Sequence, residues 1–170
     1  MKNRALYMNG KLNLAFKELD IPKPQPGEVL LKVGYCGVCG SDVHFYESGC
    51  IGTTPIKGDL ILGHEAAGTV EAVGEGVTNV KVGDRVVLEP GIGCGHCEYC
   101  KSGRYNLCPD MQFISCPPYQ GAMRNYITHP AHLVYPLPEN VSTLEGALIE
   151  PLCVGMHAAN LGGVKLGDTV

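Results

Sequence analysis

Residues 28–37 read EVLLKVGYCG, an apolar run rich in β-formers that a glycine ends. Three further runs have the same character: AAGTVEAVG (66–74), DRVVLEP (84–90) and AMRNYITHPAHLVYPLP (122–138). Gly or Pro bounds each run, and the spacing is short and irregular, without the alternation of strands and helices that a parallel sheet requires. We therefore predict a mainly β fold, a partly open antiparallel β-barrel with short helices.

The segment that precedes these runs, ALYMNGKLNLAF (5–16), carries Asn9-Gly10 between two alternating stretches. This dipeptide favours the positive φ angles of a two-residue type I′ turn. We predict a β-hairpin whose turn is formed by these two residues.

The pattern changes from strand to helix near the end of the chain, in STLEGALIEPLCVGMHAANLGG (142–163). Ser142 and Glu145 have the S-x-x-E spacing of a capping box, which marks a helix start. The glycine pair at 162–163 indicates the helix end, and Pro151 should kink or divide the helix. The last residues, VKLGDTV, predict a turn that leads into a new strand.

Composition excludes several classes of function. The 170 residues carry a net charge of −4 with Lys and Arg scattered, so neither nucleic acid nor an anionic membrane is an expected partner. No run of 18 apolar residues is present, and the first residues, MKNRALYMNGKLNL, lack the apolar stretch of a secretory signal. We therefore expect a cytoplasmic protein with a packed core.

Four of the nine cysteines lie in one stretch, CGHCEYCKSGRYNLC (94–108). Cys94, Cys97, Cys100 and Cys108 follow the spacing C-x2-C-x2-C-x7-C, which lets four thiolates converge on one ion. Disulfides are the weaker interpretation, because the cysteine count is odd and no export signal is present. Four sulfurs leave no coordination position for water or substrate, so we predict a structural zinc site.

A second set of candidate ligands is spread along the chain: Cys39, His64, Glu65 and Glu150. One Cys, one His and one carboxylate leave a fourth position open, which is the pattern of a catalytic zinc. Ser41 and His44 follow Cys39 closely enough to pass a proton to solvent. Taken singly, Cys39 could also be a small buried residue and His64 a hydrogen-bonded core residue. Spacing alone does not decide whether this second metal site exists.

The order of the motifs is more specific than any one of them. C-G-x-C-G-S-D-x-H (36–44) is followed by L-G-H-E-x-x-G-x-V, by V-G-D-R-V and by the four-cysteine stretch. This order resembles the zinc-containing medium-chain dehydrogenases/reductases. The stretches CPPYQGAMRNYITHPA (116–131) and ALIEPLCVGMHA (147–158) are similar to the sorbitol and xylitol dehydrogenases of the polyol branch. The resemblance extends from about residue 27 to the end of the chain.

The resemblance implies roles for the candidate ligands. Cys39 and His64 match catalytic zinc ligands of the family. Glu150 stands where simple alcohol dehydrogenases place a cysteine, and in the polyol branch this glutamate reaches the zinc or its water. Glu65 matches a carboxylate that can itself approach the metal. The family pattern gives no ligand role to His96, inside the four-cysteine stretch.

The resemblance also implies a proton path and a substrate contact. Ser41 and His44 match a relay from the substrate hydroxyl to an imidazole. Phe45 stands where animal sorbitol dehydrogenases commonly carry a substrate-contacting tyrosine, so that one hydrogen bond is lost here and the polyol stays undefined. Cys116 receives no role.

The family also implies how the chain is organised. Residues 1–141 would form a GroES-like catalytic domain, with the structural zinc lobe at about 91–110. Residues 142–170 would supply a linking helix and the entry to a Rossmann NAD-binding domain, whose G-x-G-x-x-G motif is absent from the 170 residues. NAD, that further domain and copies of the same chain, as a dimer or tetramer, are the expected cofactor and partners. We expect this chain alone to be inactive and to expose apolar surface near 152–156.

Three functions follow, in order of preference. The first is the zinc-bearing domain of an NAD-dependent polyol dehydrogenase, which oxidises a secondary alcohol of a sorbitol- or xylitol-type substrate to a ketose. The second is a related zinc dehydrogenase for 2,3-butanediol, threonine or another alcohol. The third is a non-catalytic, zinc-bound GroES-like binding or assembly module, since fold does not fix function. A module of that kind would have no use for the second set of ligands.

Overall fold

The computed structural model describes residues 2–169. Within this range the strands are β1 (Asn3–Met8), β2 (Leu14–Leu19), β3 (Glu28–Cys36), β4 (Cys50–Ile51), β5 (Thr54–Pro55), β6 (Leu60–Ile61), β7 (Ala66–Val73), β8 (Arg85–Leu88), β9 (Gly91–Ile92), β10 (Gln112–Phe113), β11 (Tyr126–Pro130) and β12 (Val134–Pro136). The helices are α1 (Gly40–Ser48), α2 (Glu98–Lys101), α3 (Thr143–Ala147) and α4 (Ile149–Leu161), and two 3₁₀ turns cover Tyr105–Leu107 and Ala131–Leu133. The predicted mainly β class is confirmed.

The four runs that predicted strands form one antiparallel sheet, in the order β11-β3-β7-β8-β12. In the centre, Leu31 of β3 pairs with Ile127 of β11 on one side and with Val70 of β7 on the other. These three side chains, with Val29 and Val86, are buried in the main hydrophobic core. Burial of such side chains contributes about 1.5–3 kcal/mol each, so this sheet is the frame on which the loops are fixed.

The predicted hairpin is confirmed, but its two-residue turn is wrong. β1 and β2 pair in register from Asn3 opposite Leu19 to Met8 opposite Leu14, which leaves a five-residue loop between them. Leu12 in this loop has a φ of 58° and donates its backbone N–H to the Tyr46 carbonyl of α1 at 2.8 Å. This contact with α1 requires a longer loop than the Asn-Gly pattern predicts.

The hairpin belongs to a second sheet, β2-β1-β6, which is tied to the first through an asparagine. The buried Asn3 amide donates to the Tyr126 carbonyl and accepts from the Tyr126 N–H, both at 2.9 Å. It therefore replaces a strand neighbour at the start of β11. On this second sheet, Met8 and Leu60 pack against Phe45 of α1, which fixes the position of that helix.

The C-terminal helix is divided, as Pro151 predicted, and the break falls at Leu148. The proline ring would clash with the carbonyl four residues earlier, that of Ala147, so α3 ends at Ala147 and α4 begins afresh. The capping box is confirmed, because the Glu145 carboxylate accepts from the Ser142 N–H at 2.7 Å and the Glu145 N–H donates to the Ser142 hydroxyl. Residues 164–169 contain a turn and no strand, and Val170 lies outside the described residues.

α4 buries none of its 13 residues. Leu152, Val154 and Met156 are 56–63% exposed, as the sequence led us to expect. Among residues 2–169, no helix combines the length and the apolar character needed to cross a membrane.

Candidate metal centres

The four cysteines of the 94–108 stretch point their sulfurs at one another. All four Sγ atoms lie within 4.8 Å of one another, and those of Cys94 and Cys100 are 4.0 Å apart. Cys97 is the N-cap of α2, and Cys108 follows the 3₁₀ turn that ends at Leu107. Cys108 is buried and the other three are half-buried. The lobe thus brings together the four residues that spacing had grouped.

This geometry fits a tetrahedral zinc ion. With Zn–S bonds of about 2.3 Å, tetrahedral sulfurs lie about 3.8 Å apart, near the observed separation of Cys94 and Cys100. Backbone N–H groups also point at the sulfurs: those of Cys94, Cys97 and Cys100 donate to Cys108, Cys94 and Cys97 respectively, each at 3.4 Å. Such donors favour thiolates. Gly93 leaves room, because a Cβ there would lie 3.0 Å from the Cys100 sulfur.

The thiols of the cluster differ in acidity. Backbone N–H donors, first that of His96 and then that of Cys97, lower the pKa of Cys94 to about 6. Burial raises the pKa of Cys100 to about 12. A divalent cation among the four sulfurs would favour the thiolate form of all of them.

A second group forms where two neighbouring strands end. A sulfur of Cys39, a ring nitrogen of His64 and a carboxylate oxygen of Glu65 lie within 4.8 Å of one another. Cys36 at the end of β3 pairs with Ala66 at the start of β7. The loop that follows β3 and the loop that precedes β7 therefore meet at the same end of the sheet. His64 and Glu65 are buried and Cys39 is half-buried. The three side chains provide one soft, one borderline and one hard ligand.

Asp42, which the sequence analysis missed, connects the loops that carry this group. Its buried carboxylate accepts from the Cys39 N–H and the Gly63 N–H, both at 3.0 Å, and from the Ser115 hydroxyl at 3.2 Å. One side chain therefore fixes the residue that bears the thiol, the residue before His64 and a wall residue of the site. The signal in the sequence was an acid three residues after the N-cap of a helix.

Gly37 makes room for Glu65. A Cβ at position 37 would lie 2.0 Å from a carboxylate oxygen of Glu65, and the Gly37 N–H donates to the Glu65 carbonyl at 2.8 Å. Only glycine lets the backbone approach the carboxyl group this closely.

The second group opens into a cavity of about 410 Å³. Glu150 lies in its wall but outside the set of atoms within 4.8 Å, so the structure brings Glu65 closer to Cys39 and His64 than Glu150. Burial raises the pKa of Glu150, the charge of His64 lowers it, and Glu65 raises it further. Glu150 is therefore within electrostatic reach of both residues.

The two residues of the predicted proton path lie on α1. Ser41 lines the cavity and is half-buried, whereas His44, three residues further along the helix, is exposed to solvent. Residues three apart in a helix share one face. In the described part of the chain, no hydrogen bond joins the side chains of Ser41 and His44.

The remaining wall of the cavity is mostly apolar. Phe45 is buried and lines it, and the ring of Phe113 meets that of His64 edge-on, with centroids 5.2 Å apart. Ser115 and Cys116 add two polar side chains that sequence reasoning did not place here. Ser115 has a φ of 68°, a left-handed conformation that its bond to Asp42 helps to hold.

A larger apolar cavity of about 780 Å³ lies between β8, the cysteine lobe and α4. One of the polar groups in its lining is the Glu89 carboxylate, which accepts from the Tyr135 hydroxyl at 2.8 Å. Glu150 and Val154 of α4 line both cavities, so the helix forms the partition between them.

Comparison with known families agrees with this architecture. The family model for the alcohol dehydrogenase GroES-like domain matches residues 25–139. The chain therefore belongs to this family, and its relatives place it among the zinc-type medium-chain alcohol dehydrogenases.

Two relatives are similar over almost the whole of this chain. Sorbitol dehydrogenase of Macaca fascicularis is 50% identical over 169 residues, which cover 99% of this chain and 47% of that protein. An uncharacterised zinc-type alcohol dehydrogenase-like protein of Escherichia coli, YdjJ, is 49% identical over 172 residues, with 100% of this chain and 50% of that protein covered. The chain spans about half the length of the curated relatives it matches.

Solved structures share the same fold. A dehydrogenase of unknown specificity from Escherichia coli superimposes with a TM-score of 0.93 at 48% identity and covers 99% of this chain and 49% of its own. An alcohol dehydrogenase from Escherichia coli CFT073, in complex with NADH, superimposes with a TM-score of 0.89 at 32% identity. The match covers 99% of this chain and 48% of that protein.

Proposed function

We propose that this chain is the zinc-bearing domain of an NAD-dependent polyol dehydrogenase, which oxidises a secondary alcohol of a sorbitol- or xylitol-type substrate to a ketose. The observation that carries the proposal is the convergence of Cys39, His64 and Glu65 at the mouth of one cavity, with Glu150 in its wall. The 50% identity to a sorbitol dehydrogenase supports the choice of substrate class.

The two groups take different metal roles in this proposal. The four cysteines hold a structural zinc, because they supply all four ligands of a tetrahedron. Cys39 and His64, with Glu65 as third ligand, hold a catalytic zinc and leave a position for substrate. When bound there, zinc would supply Lewis-acid polarisation of the substrate oxygen.

The chain's own side chains then handle the proton and the orientation of the substrate. Ser41 accepts the proton of the reacting hydroxyl and passes it to His44, which releases it to solvent from the exposed face of α1. Glu150 accepts a hydrogen bond from a second hydroxyl of the substrate. Phe45 and Phe113 exclude water from the part of the cavity that would hold the carbon atoms of the substrate.

The hydride acceptor in this proposal is a nicotinamide cofactor. The polyol resemblance implies NAD, and a relative at 32% identity was solved with NADH. We propose residues 1–141 as the catalytic domain, with its zinc lobe at about 91–110, and residues 142–170 as the connection to a dinucleotide-binding domain. The exposed apolar face of α4 is the surface that such a domain would cover. The complete enzyme is expected to form a homodimer or homotetramer.

The test is a comparison of substrates with the complete enzyme and NAD. Sorbitol and xylitol should exceed ethanol in kcat/KM by at least about a hundredfold, because ethanol leaves the Glu150 carboxylate without its hydroxyl partner. Glu150→Gln should keep part of this preference and Glu150→Ala should lose it. Equal efficiency on ethanol would contradict the polyol assignment, and a preference for 2,3-butanediol would favour the second function.

A further inference from the structure

The cysteine lobe carries a second group of possible metal ligands on its outer surface. Cys94, His96 and Asp110 each offer a ligand atom, and these atoms lie within 4.8 Å of one another. His96 and Asp110 are exposed, and Cys94 is half-buried. Cys94 also belongs to the four-cysteine group, so the two sets share one sulfur.

The imidazole of His96 is held with one nitrogen free for a metal. Its Nδ1 lies 2.9 Å from the Cys94 carbonyl oxygen. A carbonyl can only accept, so Nδ1 carries the proton and Nε2 carries the lone pair. Histidines that bind metals commonly donate their other ring N–H to a backbone carbonyl in this way, which fixes the tautomer and the ring orientation.

Within residues 2–169, the Asp110 carboxylate has no competing side-chain partner. In the described range of the chain, its carboxylate takes part in no side-chain hydrogen bond and no ion pair, although salt bridges occur elsewhere, as between Lys81 and Asp84. It is also separated from the four-cysteine group by only one residue, since Pro109 follows Cys108. One thiolate, one imidazole and one carboxylate together form a ligand set suited to zinc and similar divalent ions.

A closed site of four thiolates presents a kinetic problem. An ion cannot enter or leave in one step, because every position around it is filled by sulfur in the final state. Cys108 is buried, whereas the other three cysteines of the group are half-buried, so an ion must approach from their side of the cluster. Of these three, Cys94 is the one whose sulfur also belongs to the outer group.

We propose that Cys94, His96 and Asp110 form an exchange site through which zinc enters and leaves the four-cysteine group. His96 Nε2 and the Asp110 carboxylate bind the hydrated ion first, and the Cys94 thiolate then bridges it to the inner position. The remaining three thiols bind in turn and release their protons to solvent. This inference rests on the four-cysteine group binding zinc, as proposed above.

An exchange site has a kinetic signature that a structural role lacks. Since His96 and Asp110 do not bind the ion in its final position, their removal slows loading and release by the same factor. The equilibrium affinity of the four-cysteine group stays the same. A residue that only supports the fold of the lobe would instead change the affinity, through faster release.

The experiment follows the binding of Co²⁺ to the reduced chain by the sulfur-to-cobalt charge-transfer absorption. The four-cysteine group dominates this absorption, because it has four thiolates and the Cys39 group has one. Stopped-flow mixing with Co²⁺ gives the loading rate, and mixing of the loaded chain with excess EDTA gives the release rate. The variants are His96→Asn, whose amide can still donate to the Cys94 carbonyl, and Asp110→Asn. Glu98→Gln is the control, because it removes one exposed charge from the same lobe outside the group.

Both variants should load and release cobalt about tenfold more slowly, with the ratio of the two rates unchanged, whereas Glu98→Gln should behave as the parent chain. Unchanged rates in His96→Asn and Asp110→Asn would overturn the inference, as would faster release with weaker affinity. If the parent chain shows no four-thiolate absorption at all, the structural zinc assignment fails together with it.

Discussion

The two metal-binding groups of this chain are assembled in opposite ways. The four-cysteine group comes from a single stretch, 94–108, and the donors to its sulfurs are backbone N–H groups of the same stretch. The Cys39–His64–Glu65 group comes from two loops, which the pairing of β3 with β7 and the buried Asp42 carboxylate bring together. The first is a product of local turns, and the second is a product of the sheet.

This difference determines what each metal does for the fold. Few buried apolar residues support the lobe, since its two short helical elements bury none, so its order depends on the bound ion. The second group lies on loops that the pairing of β3 with β7 and the Asp42 carboxylate hold in place. We therefore expect loss of the first metal to disrupt structure and loss of the second to disrupt chemistry.

The largest effect is expected for Cys108→Ser, at the buried corner of the four-cysteine group. The variant should lose one metal equivalent and more than about 4 kcal/mol of unfolding free energy, because metal binding at a structural site is also folding free energy. Urea denaturation and limited proteolysis of the 91–110 segment measure this.

Cys153→Ser is the matched control, since that cysteine is exposed on α4 and belongs to neither group. It should leave both the metal content and the stability unchanged. A Cys108→Ser variant as stable as this control would show that the lobe does not need its metal.

The second effect concerns the sheet that supports the Cys39 group. Burial lowers the pKa of His129 to about 4 from its usual 6.5, and its Nε2–H donates to the Glu89 carbonyl at 2.8 Å. The folded state thus binds this proton less readily than the unfolded state. The contribution of the neutral His129 to the free energy of unfolding is therefore fully present above pH 6.5. It is lost as the pH falls from 6.5 to about 4, and the loss amounts to about 3 kcal/mol.

His129→Gln removes this titration while the glutamine amide can still donate to the Glu89 carbonyl. The difference in unfolding free energy between the parent chain and the variant should therefore change by about 3 kcal/mol between pH 6.5 and 4. Urea denaturation at a series of pH values gives this difference. The charges that act on His129, those of His132, Glu28 and Glu89, are common to both proteins. A difference that is constant with pH would contradict the assignment.

The same contrast explains how much the sequence could predict. The spacing of the four cysteines was sufficient for the first group, because each sulfur is placed by turns of a few residues. For the second group, the sequence left the third ligand open between Glu65 and Glu150. Glu65 follows His64 directly in the chain. Glu150 instead lies just after the helix break at Leu148, and the position of this break depends on packing as well as on Pro151.

The sequence did not reveal how Asp42, Gly37 and Ser115 support the site, because these roles arise where separate loops meet. Asp42 had a local signal, its position three residues after a helix N-cap. Ser115 and Cys116 had none, since they reach the cavity only through the fold of the loop between β10 and β11. The hairpin turn failed for a similar reason, as Leu12 must reach α1.

A smaller effect is expected for Gly37→Ala, which places a methyl group against the Glu65 carboxylate. The variant should lose about 1–2 kcal/mol of stability and bind metal about tenfold more weakly at the Cys39 group, with the four-cysteine group unaffected. Gly40→Ala is the control, since a Cβ at that position meets nothing within 4 Å although it lies beside Cys39. Competition for Co²⁺ with a chelator measures both variants, and equal affinities would refute the steric role of Gly37.

The smallest change in stability is expected for Cys39→Ser. Cys39 is the N-cap of α1, and serine is a good N-cap residue. The unfolding free energy of the chain, measured with no metal bound at the Cys39 group, should therefore change by no more than about 1 kcal/mol. The same variant should lose one metal equivalent. A loss of stability as large as that of Cys108→Ser would mean that the second group, too, depends on its metal for folding.

The most direct test of two independent metal centres is a count of metal per chain in three proteins. Elemental analysis and native mass spectrometry of the zinc-saturated parent chain should give two ions, and Cys108→Ser and Cys39→Ser should give one each. With cobalt, only Cys108→Ser should lose the intense four-thiolate absorption. A parent chain with a single ion, or a Cys39→Ser variant that keeps both, would contradict the existence of the second centre.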